Sequence, residues 1–196
     1  MSLVSFVKVR GDGCGSLKQA ILDSLDLIQQ QFPKDIQNVV IKPNMCYYWD
    51  YTTGQTTDPK FVATLVDVIR DRVSSDVHFS IVESDASAMR CKYAFKMLGY
   101  EKMAQRYGIT LVNLSEEESE RVPVTVGGQT FHLMVPRLIQ NADLRVNVPK
   151  IKYLVGQSKL TCALKNIYGC NPYQDKFKYH QKLDEVIVAL NKVMKF

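Results

Sequence analysis

Long apolar runs are missing from this sequence of 196 residues. No stretch reaches the ~18 consecutive apolar residues that a membrane-spanning helix needs. The segment from Met1 to Arg10 is too short and too charged for the apolar part of a secretory signal. We therefore expect a cytoplasmic protein without a membrane partner.

Cysteine is sparse and scattered. The five cysteines form no C-x-x-C pair and no ferredoxin-type run. They are Cys14, Cys46, Cys91, Cys162 and Cys170. Free and mostly buried thiols are the expectation, because structural metal sites usually contain at least one close ligand pair. A metal site assembled from distant cysteines is the alternative.

Several enzyme signatures are also absent. The chain has no G-x-x-x-x-G-K-[ST] loop, no G-x-S-x-G elbow and no H-E-x-x-H pair. The glycines at 11, 13 and 15 lack the spacing of the dinucleotide fingerprint, so we interpret them as a turn. The 25 basic residues are interleaved with 20 acidic ones, which does not indicate a nucleic-acid partner.

What is present indicates one α/β domain over residues 1–196, since 46% of the residues are hydrophobic. Alternating or continuous apolar runs predict strands at Val4–Arg10, Val39–Ile41, Val77–Val82, Ile109–Leu114 and Leu144–Val148. Helical spacing predicts helices from a Ser16 N-cap to Pro33, from Asp58-Pro59 through Ile69, from about Ser87 to Leu98 and on to Tyr107, and over Leu183–Met194. The alternation favours a three-layer fold, a mostly parallel sheet with helices on both faces.

One region departs from this alternation. On either side of Gly127-Gly128, apolar residues face each other as in a two-residue hairpin, which pairs Val124 with Phe131 and Val122 with Leu133. We predict an inserted antiparallel hairpin over about 121–135.

Polar residues follow the predicted strands, where open α/β sheets bind their ligands. A lysine beside a proline at a strand end must be paired or must face a cavity, because a bare ammonium is costly in a low-dielectric setting. We expect lysines to bind a phosphate or carboxylate while asparagines orient neutral groups. The candidates are Lys42, Asn44, Glu83, Ser84, Asp85, Asn147, Lys150, Lys152, Lys165, Asn166 and His180.

Structural roles for the same residues stay open. The lysines could reach solvent or pair with Glu83, Asp85 and Asp143, and the asparagines could cap turns. The start of the third helix, near Ser84, could hold an anion unless Asp85 already caps it.

The sequence leaves open both simple binding and a reaction in which a desolvated lysine acts as a base or as a carbonyl nucleophile. The aromatic loop at 47–51 could cover a ligand, meet a partner or fold over the core.

Taken in series, six segments resemble the family called domain of unknown function 362, over about Val39 to His180. The segments are Val39–Asn44, Thr56–Pro59, Glu83-Ser84, Asn147–Lys152, Ala163–Gly169 and Tyr179-His180. The resemblance implies an association with iron–sulfur proteins, although this chain has no ferredoxin-like module. It also implies a histidine where this chain has Leu154, and a continuation past Phe196, so we expect a short or truncated member.

Two alternative functions follow. The first is an accessory protein of iron–sulfur or redox metabolism that contacts a cluster or a redox partner protein through cysteines or the aromatic loop. The second is single-stranded nucleic-acid binding by the same lysines together with aromatic side chains.

Overall fold

A computed structural model of the chain describes residues 3–11, 13–33, 35–73, 76–153 and 160–196. The helices are α1 (Cys14–Leu27), α2 (Pro59–Arg72), α3 (Cys91–Met97), α4 (Tyr100–Tyr107), α5 (Arg137–Gln140), α6 (Ala163–Asn166) and α7 (Leu183–Met194). The strands are β1 (Asn38–Pro43), β2 (His78–Glu83), β3 (Thr110–Asn113), β4 (Ser119–Val126), β5 (Gln129–Pro136), β6 (Leu144–Val148), β7 (Lys152–Tyr153) and β8 (Leu160–Thr161). Short 3-10 helices cover Tyr51–Thr53, Ile167–Cys170 and Lys176–Lys182.

The main sheet has four parallel strands in the order β3-β2-β1-β6. In its centre Val39 lies opposite Phe79 on one side and Leu144 on the other. The apolar run Val39–Ile41 is fully buried, as expected for a parallel strand covered on both faces. The chain moves from β1 through β2 to β3 in one direction and then crosses to β6 on the other side of β1. The strand order therefore reverses between β1 and β6, at the carboxyl edge where such sheets bind ligands.

Two hydrophobic clusters divide the core by strand side. Val39 and Ile41 pack in a cluster that includes residues of α1, α2 and α4, whereas Val40 and Val82 pack in a second cluster that includes α7. Because successive strand residues point to opposite faces, α1 and α2 cover one face and α7 the other. The predicted three-layer α/β fold is confirmed.

The antiparallel hairpin is confirmed as predicted. Strands β4 and β5 pair Val124 with Phe131 and Val122 with Leu133. Gly127 and Gly128 turn the chain at positive φ values of 58° and 78°, which glycine adopts without strain. The hairpin packs on α7, and its residues Phe131 and Leu133 belong to the second cluster.

Helix α2 begins as its sequence indicates. The Asp58 side chain accepts a hydrogen bond from the Lys60 N–H at 2.8 Å, and Pro59 takes the first helical position. None of the helices in the described ranges is long and apolar enough to cross a membrane.

The amino-terminal segment differs from the prediction. Residues Val4–Arg10 form no strand, and Ser5 Oγ instead lies 2.6 Å from Ser24 Oγ on α1. Helix α1 begins at Cys14 with extended Gly13 as its N-cap, so Ser16 lies inside the helix, which ends at Leu27 well before Pro33. Alternation predicts an extended segment, but a strand also needs a partner edge.

The third helix also starts later than predicted. Residues Ala86 and Met89 form an isolated antiparallel bridge, and α3 begins only at Cys91. The predicted start of this helix was therefore wrong, and no helix begins near Ser84 to supply the free N–H groups for an anion. Asp85 still caps the helix from a distance, because its Oδ1 accepts the N–H of Cys91 at 2.8 Å.

Candidate functional site

A cavity of about 390 Å³ opens at the carboxyl edge of the sheet, near the ends of β1 and β2. It extends from the end of β1 to the segment between β8 and α7. Seven of the predicted site residues line it: Lys42, Asn44, Glu83, Lys152, Lys165, Asn166 and His180. The other lining residues that matter below are Met45, Cys46, Tyr47, Met89, Cys162, Tyr168, Gly169, Lys176 and Phe177.

A buried ion pair lies against one wall of the cavity. Lys42 Nζ donates to Glu83 Oε2 at 2.7 Å and to the carbonyl oxygen of Pro43 at 2.6 Å. The two residues are 1% and 2% exposed. Glu83 Oε1 accepts the backbone N–H of Ser84 at 3.0 Å, so the carboxylate has partners for both oxygens. This arrangement satisfies two charges that would be costly to bury alone.

Gly169 permits the close approach of the following chain to this pair. A Cβ placed on Gly169 would lie 2.7 Å from Glu83 Oε1 and 2.8 Å from Lys42 Cε. Real Cβ atoms do not approach other atoms so closely, so any larger residue here would force the buried Lys42–Glu83 pair to shift. The segment that resembles the family motif thus has a packing reason for its glycine.

Lys176 is a cavity residue that the sequence did not reveal. Its Nζ donates to Ser84 Oγ at 2.6 Å, and the Ser84 hydroxyl lies within hydrogen-bonding reach of the carbonyl oxygens of Gly169 and Asn171. Burial, together with the nearby positive charge of Lys42, lowers the pKa of Lys176 although Glu83 acts in the opposite direction. The only sequence signal was its place four residues before His180, in a stretch with other lysines.

Lys165 lies in the same cavity with a different set of partners. Its Nζ is 4.2 Å from the centre of the Tyr168 ring, and among the described residues it donates to no oxygen atom. Burial, followed by the charges of Lys176 and Lys152, lowers the pKa of Lys165 to about 8. This amine therefore loses its proton far more easily than an ordinary lysine.

Lys152 and Cys46 lie close enough for each to affect the pKa of the other. Lys152 Nζ donates to the carbonyl oxygen of Gln55 at 3.2 Å, and burial lowers its pKa. Burial raises the pKa of the Cys46 thiol, although the charges of Lys152 and Lys165 act in the opposite direction. Cys46 is thus a neutral thiol beside two amines.

The predicted asparagines differ in their hydrogen bonding. Asn147 and Asn166 connect parts of the fold, whereas the Asn44 amide is unpaired within the described residues. Asn166 Nδ2 donates to the Lys42 carbonyl at 3.1 Å and to Asn147 Oδ1 at 2.7 Å, while Asn147 Nδ2 donates to the Ala163 carbonyl. These bonds tie α6 to the ends of β1 and β6. Within the described ranges the side-chain amide of Asn44 has no hydrogen bond, which leaves it available in the cavity.

Four of the predicted site residues do not line the cavity. Ser84 binds Lys176 beneath it, Asn147 supports Asn166, and Lys150 lines a separate groove beside α1. Asp85 pairs with Arg90 at 3.0 Å. Burial alone would raise the pKa of Asp85, but the Cys91 N–H and the Arg90 guanidinium together lower it. A direct role for these four in ligand binding stays a prediction.

Apolar and aromatic side chains form the rest of the cavity wall. Met45 and Met89 are 7% and 5% exposed. The rings of Phe177 and His180 are in contact in a tilted arrangement, with centres 4.5 Å apart. From the aromatic loop, Tyr47 reaches the cavity, and its ring lies 5.2 Å from that of Trp49. The cavity therefore has a basic part and an apolar part.

The cysteines do not fit a four-thiolate iron–sulfur cluster. Only Cys46 and Cys162 line the cavity, whereas Cys91 and Cys170 are buried and Cys14 is exposed on α1. Across the described residues, no group of three or more His, Cys, Asp or Glu side chains could hold a metal ion. Contact with the cluster of a partner protein, or with single-stranded nucleic acid, stays a prediction.

Fold and cavity together define a three-layer α/β domain with a lysine-lined cavity at the carboxyl edge of its parallel sheet. The family model described as a domain of unknown function, DUF362, matches residues 39–196, and the chain belongs to that family. No curated protein and no solved structure matches the chain. The resemblance inferred from the motifs is thereby confirmed. Leu154, which stands in place of the expected histidine, lies outside the described residues.

Proposed function

We propose that the cavity binds an anionic small molecule that carries a phosphate or carboxylate group. The observation that supports this most is the charge of the lining, in which four lysines face one cavity and Glu83 is the only carboxylate among its lining residues in the described chain. Since Lys42 is paired with Glu83, the other three ammonium groups have no carboxylate partner among the described residues. An anion would supply that missing charge.

The electrostatics of these lysines also favour an anion. Burial lowers the pKa of Lys152, of Lys165 and of Lys176, and the positive charges of nearby lysines act in the same direction. Each ammonium is therefore destabilised by its surroundings. A bound phosphate or carboxylate would reverse this effect, because an opposite charge nearby stabilises the ammonium form.

The shape of the cavity restricts the ligand further. A volume of about 390 Å³ falls in the range of small-molecule sites, and the apolar part lies beside the lysines. The ligand we expect has an anionic head that binds Lys152 and Lys176 and a less polar body that packs on Met45 and Met89. The Asn44 amide can donate to, or accept from, a neutral oxygen or nitrogen of that body.

Calorimetry of the purified protein with orthophosphate, pyrophosphate and citrate tests the proposal. We expect saturable binding that weakens only moderately as the salt concentration rises, because partly buried charge pairs are screened less than exposed ones. Lys152→Met should weaken binding by about 10- to 100-fold, since a hydrogen bond to a charged group contributes about 1.5–3 kcal/mol. Lys102→Met is the matched control, because Lys102 is an exposed lysine on α4 and its loss changes the net charge equally.

Two results would contradict the proposal. One is that none of the three anions binds the wild-type protein. The other is that Lys102→Met weakens binding as much as Lys152→Met does, which would mean that only the net charge of the protein attracts the anion.

A further inference from the structure

The four cavity lysines differ in what their amines contact. Three of them donate hydrogen bonds to oxygen atoms of the protein. The pairs are Lys42 with Glu83, Lys176 with Ser84 and Lys152 with the Gln55 carbonyl. Lys165 alone among the four donates to no oxygen in the described part of the chain, and its nearest aromatic partner is the Tyr168 ring at 4.2 Å.

The absence of an acceptor leaves the Lys165 amine free to react. A hydrogen bond to a carboxylate or a carbonyl favours the ammonium form, whereas burial beside other cations favours the uncharged amine. With a pKa of about 8, roughly half of Lys165 is uncharged near pH 8. An ordinary lysine with a pKa near 10.5 has well under ~1% of the uncharged form at that pH.

Side-chain hydrogen bonds brace the segment just after Lys165. The next residue, Asn166, bonds to the Lys42 carbonyl and to Asn147, and the Tyr168 hydroxyl donates to the Lys176 carbonyl at 2.6 Å. The amine is therefore presented from a braced segment, which favours a fixed geometry toward a bound ligand.

We propose that Lys165 is a carbonyl nucleophile, which forms an imine with the aldehyde or ketone group of an oxo acid whose carboxylate is bound by Lys152 and Lys176. This inference rests on the proposed anion-binding function and names the class of ligand. The different contacts of the lysines support it. Lys152 and Lys176 each donate to a protein oxygen, whereas Lys165 donates to none in the described chain.

The chemistry requires no further reactant. The nitrogen of uncharged Lys165 forms a bond to the carbonyl carbon, and the carbonyl oxygen accepts both protons of that amine in succession. The carbon–oxygen bond then breaks, and the oxygen leaves as water. The product is an imine between the ligand and Lys165, with no change of oxidation state. Cys46, as a neutral thiol in the same cavity, is placed to relay a proton during the loss of water.

Reductive trapping tests the inference on the wild-type protein. Pyruvate or glyoxylate is added with cyanoborohydride, which delivers a hydride to the imine carbon and leaves a stable secondary amine. Intact mass spectrometry should show one adduct per chain, and peptide mapping should place it on Lys165 at a rate at least about tenfold above that of any other lysine. Lys165→Arg should abolish the adduct because arginine keeps the charge but forms no such imine, whereas Lys102→Arg should leave it unchanged.

The pH dependence gives a second readout. Below a pH of about 8 the trapping rate at low pyruvate concentration should rise about tenfold per pH unit and then level off, because such a rate reports ionisation of the free protein. Labelling of exposed lysines should keep rising beyond that point. A rate without this plateau would contradict the assignment.

Lactate separates failure of this inference from failure of the proposed function, because it resembles pyruvate but has no carbonyl to attack. If lactate and phosphate bind while pyruvate is trapped on other lysines or not at all, the imine inference is overturned and anion binding stands. If neither anion binds, the proposed function fails as well. Specific trapping on Lys165 together with lactate binding supports both.

Discussion

The buried ion pair between Lys42 and Glu83 offers a direct test of how the carboxyl edge of the sheet is stabilised. The two side chains are 1% and 3% exposed, and their charged atoms are 2.7 Å apart. Replacing either partner by an apolar residue of similar size leaves the other charge buried without its partner. The substitutions we consider are Lys42→Met, Glu83→Leu and the double variant.

The size of each effect follows from the contacts. Loss of one partner of a buried pair costs about 3–5 kcal/mol, which corresponds to a fall in melting temperature of roughly 6–20 °C for a chain of this length. In the double variant neither charge remains, so the cost should fall well below the sum of the two single costs. A residual of about 1–3 kcal/mol should persist, because Ser84 N–H loses Glu83 Oε1 as its acceptor.

Urea unfolding of the four proteins forms a double-mutant cycle. Each single variant should be strongly destabilised and the double variant should recover much of the loss. The matched control is Lys18→Met, which removes an exposed ion pair with Asp71 and should change the unfolding free energy little. If the costs of the two single substitutions simply add, or if Lys18→Met costs as much as Lys42→Met, the pair is not held by burial and the reasoning is refuted.

Two further substitutions test other parts of the same edge. Gly169→Ala should destabilise the protein by about 1–3 kcal/mol in urea, because its Cβ would collide with Glu83 and Lys42, whereas Gly15→Ala on α1 meets no atom within 4 Å and should be neutral or slightly stabilising. Equal effects of the two alanines would contradict the packing role of Gly169. Asp85→Ala should cost about 0.5–2 kcal/mol near pH 6 through loss of its bond to the Cys91 N–H. Since the folded pKa of Asp85 is lowered, its contribution is present above pH ~4 and is lost as the pH falls through the folded value, so the difference between wild type and variant should shrink near pH 3 and should not stay constant.

Local patterns predicted those elements whose partners are near in sequence or whose environment is uniform. The hairpin was predicted down to its residue pairs because a two-residue turn fixes the register. Strand β1 was predicted because a short apolar run before a lysine and a proline fits a parallel strand covered on both faces. The strand predicted over residues 4–10 was wrong, because alternation of apolar residues does not show whether a neighbouring strand edge is available for pairing.

Some of the cavity residues could also be predicted from the sequence. Lys42, Lys165 and Asn166 were predicted as ligand-binding residues, and all three line the cavity. Lys176 was missed because it follows no strand, and its hydrogen bond to Ser84 in the structure joins residues 92 positions apart in the chain. Sequence spacing does not encode such a contact. Nor did it encode that Lys150 faces a different groove from Lys152, two residues later.

The partners of the lysines explain how one cavity could both hold an anion and keep a reactive amine. Positive charge in the cavity can fall in two ways, either by loss of a proton from Lys165 or by arrival of an anion. These two events oppose each other, because an anion beside Lys165 would raise its pKa and restore the ammonium. Burial, the largest cause of the lowered pKa of Lys165, persists if the anionic group binds Lys152 and Lys176, whose hydrogen bonds to Gln55 and Ser84 already orient them as donors. Lys165 is then the lysine that reacts with the carbonyl of the same ligand. It is the one amine of the four that donates to no oxygen atom in the described chain.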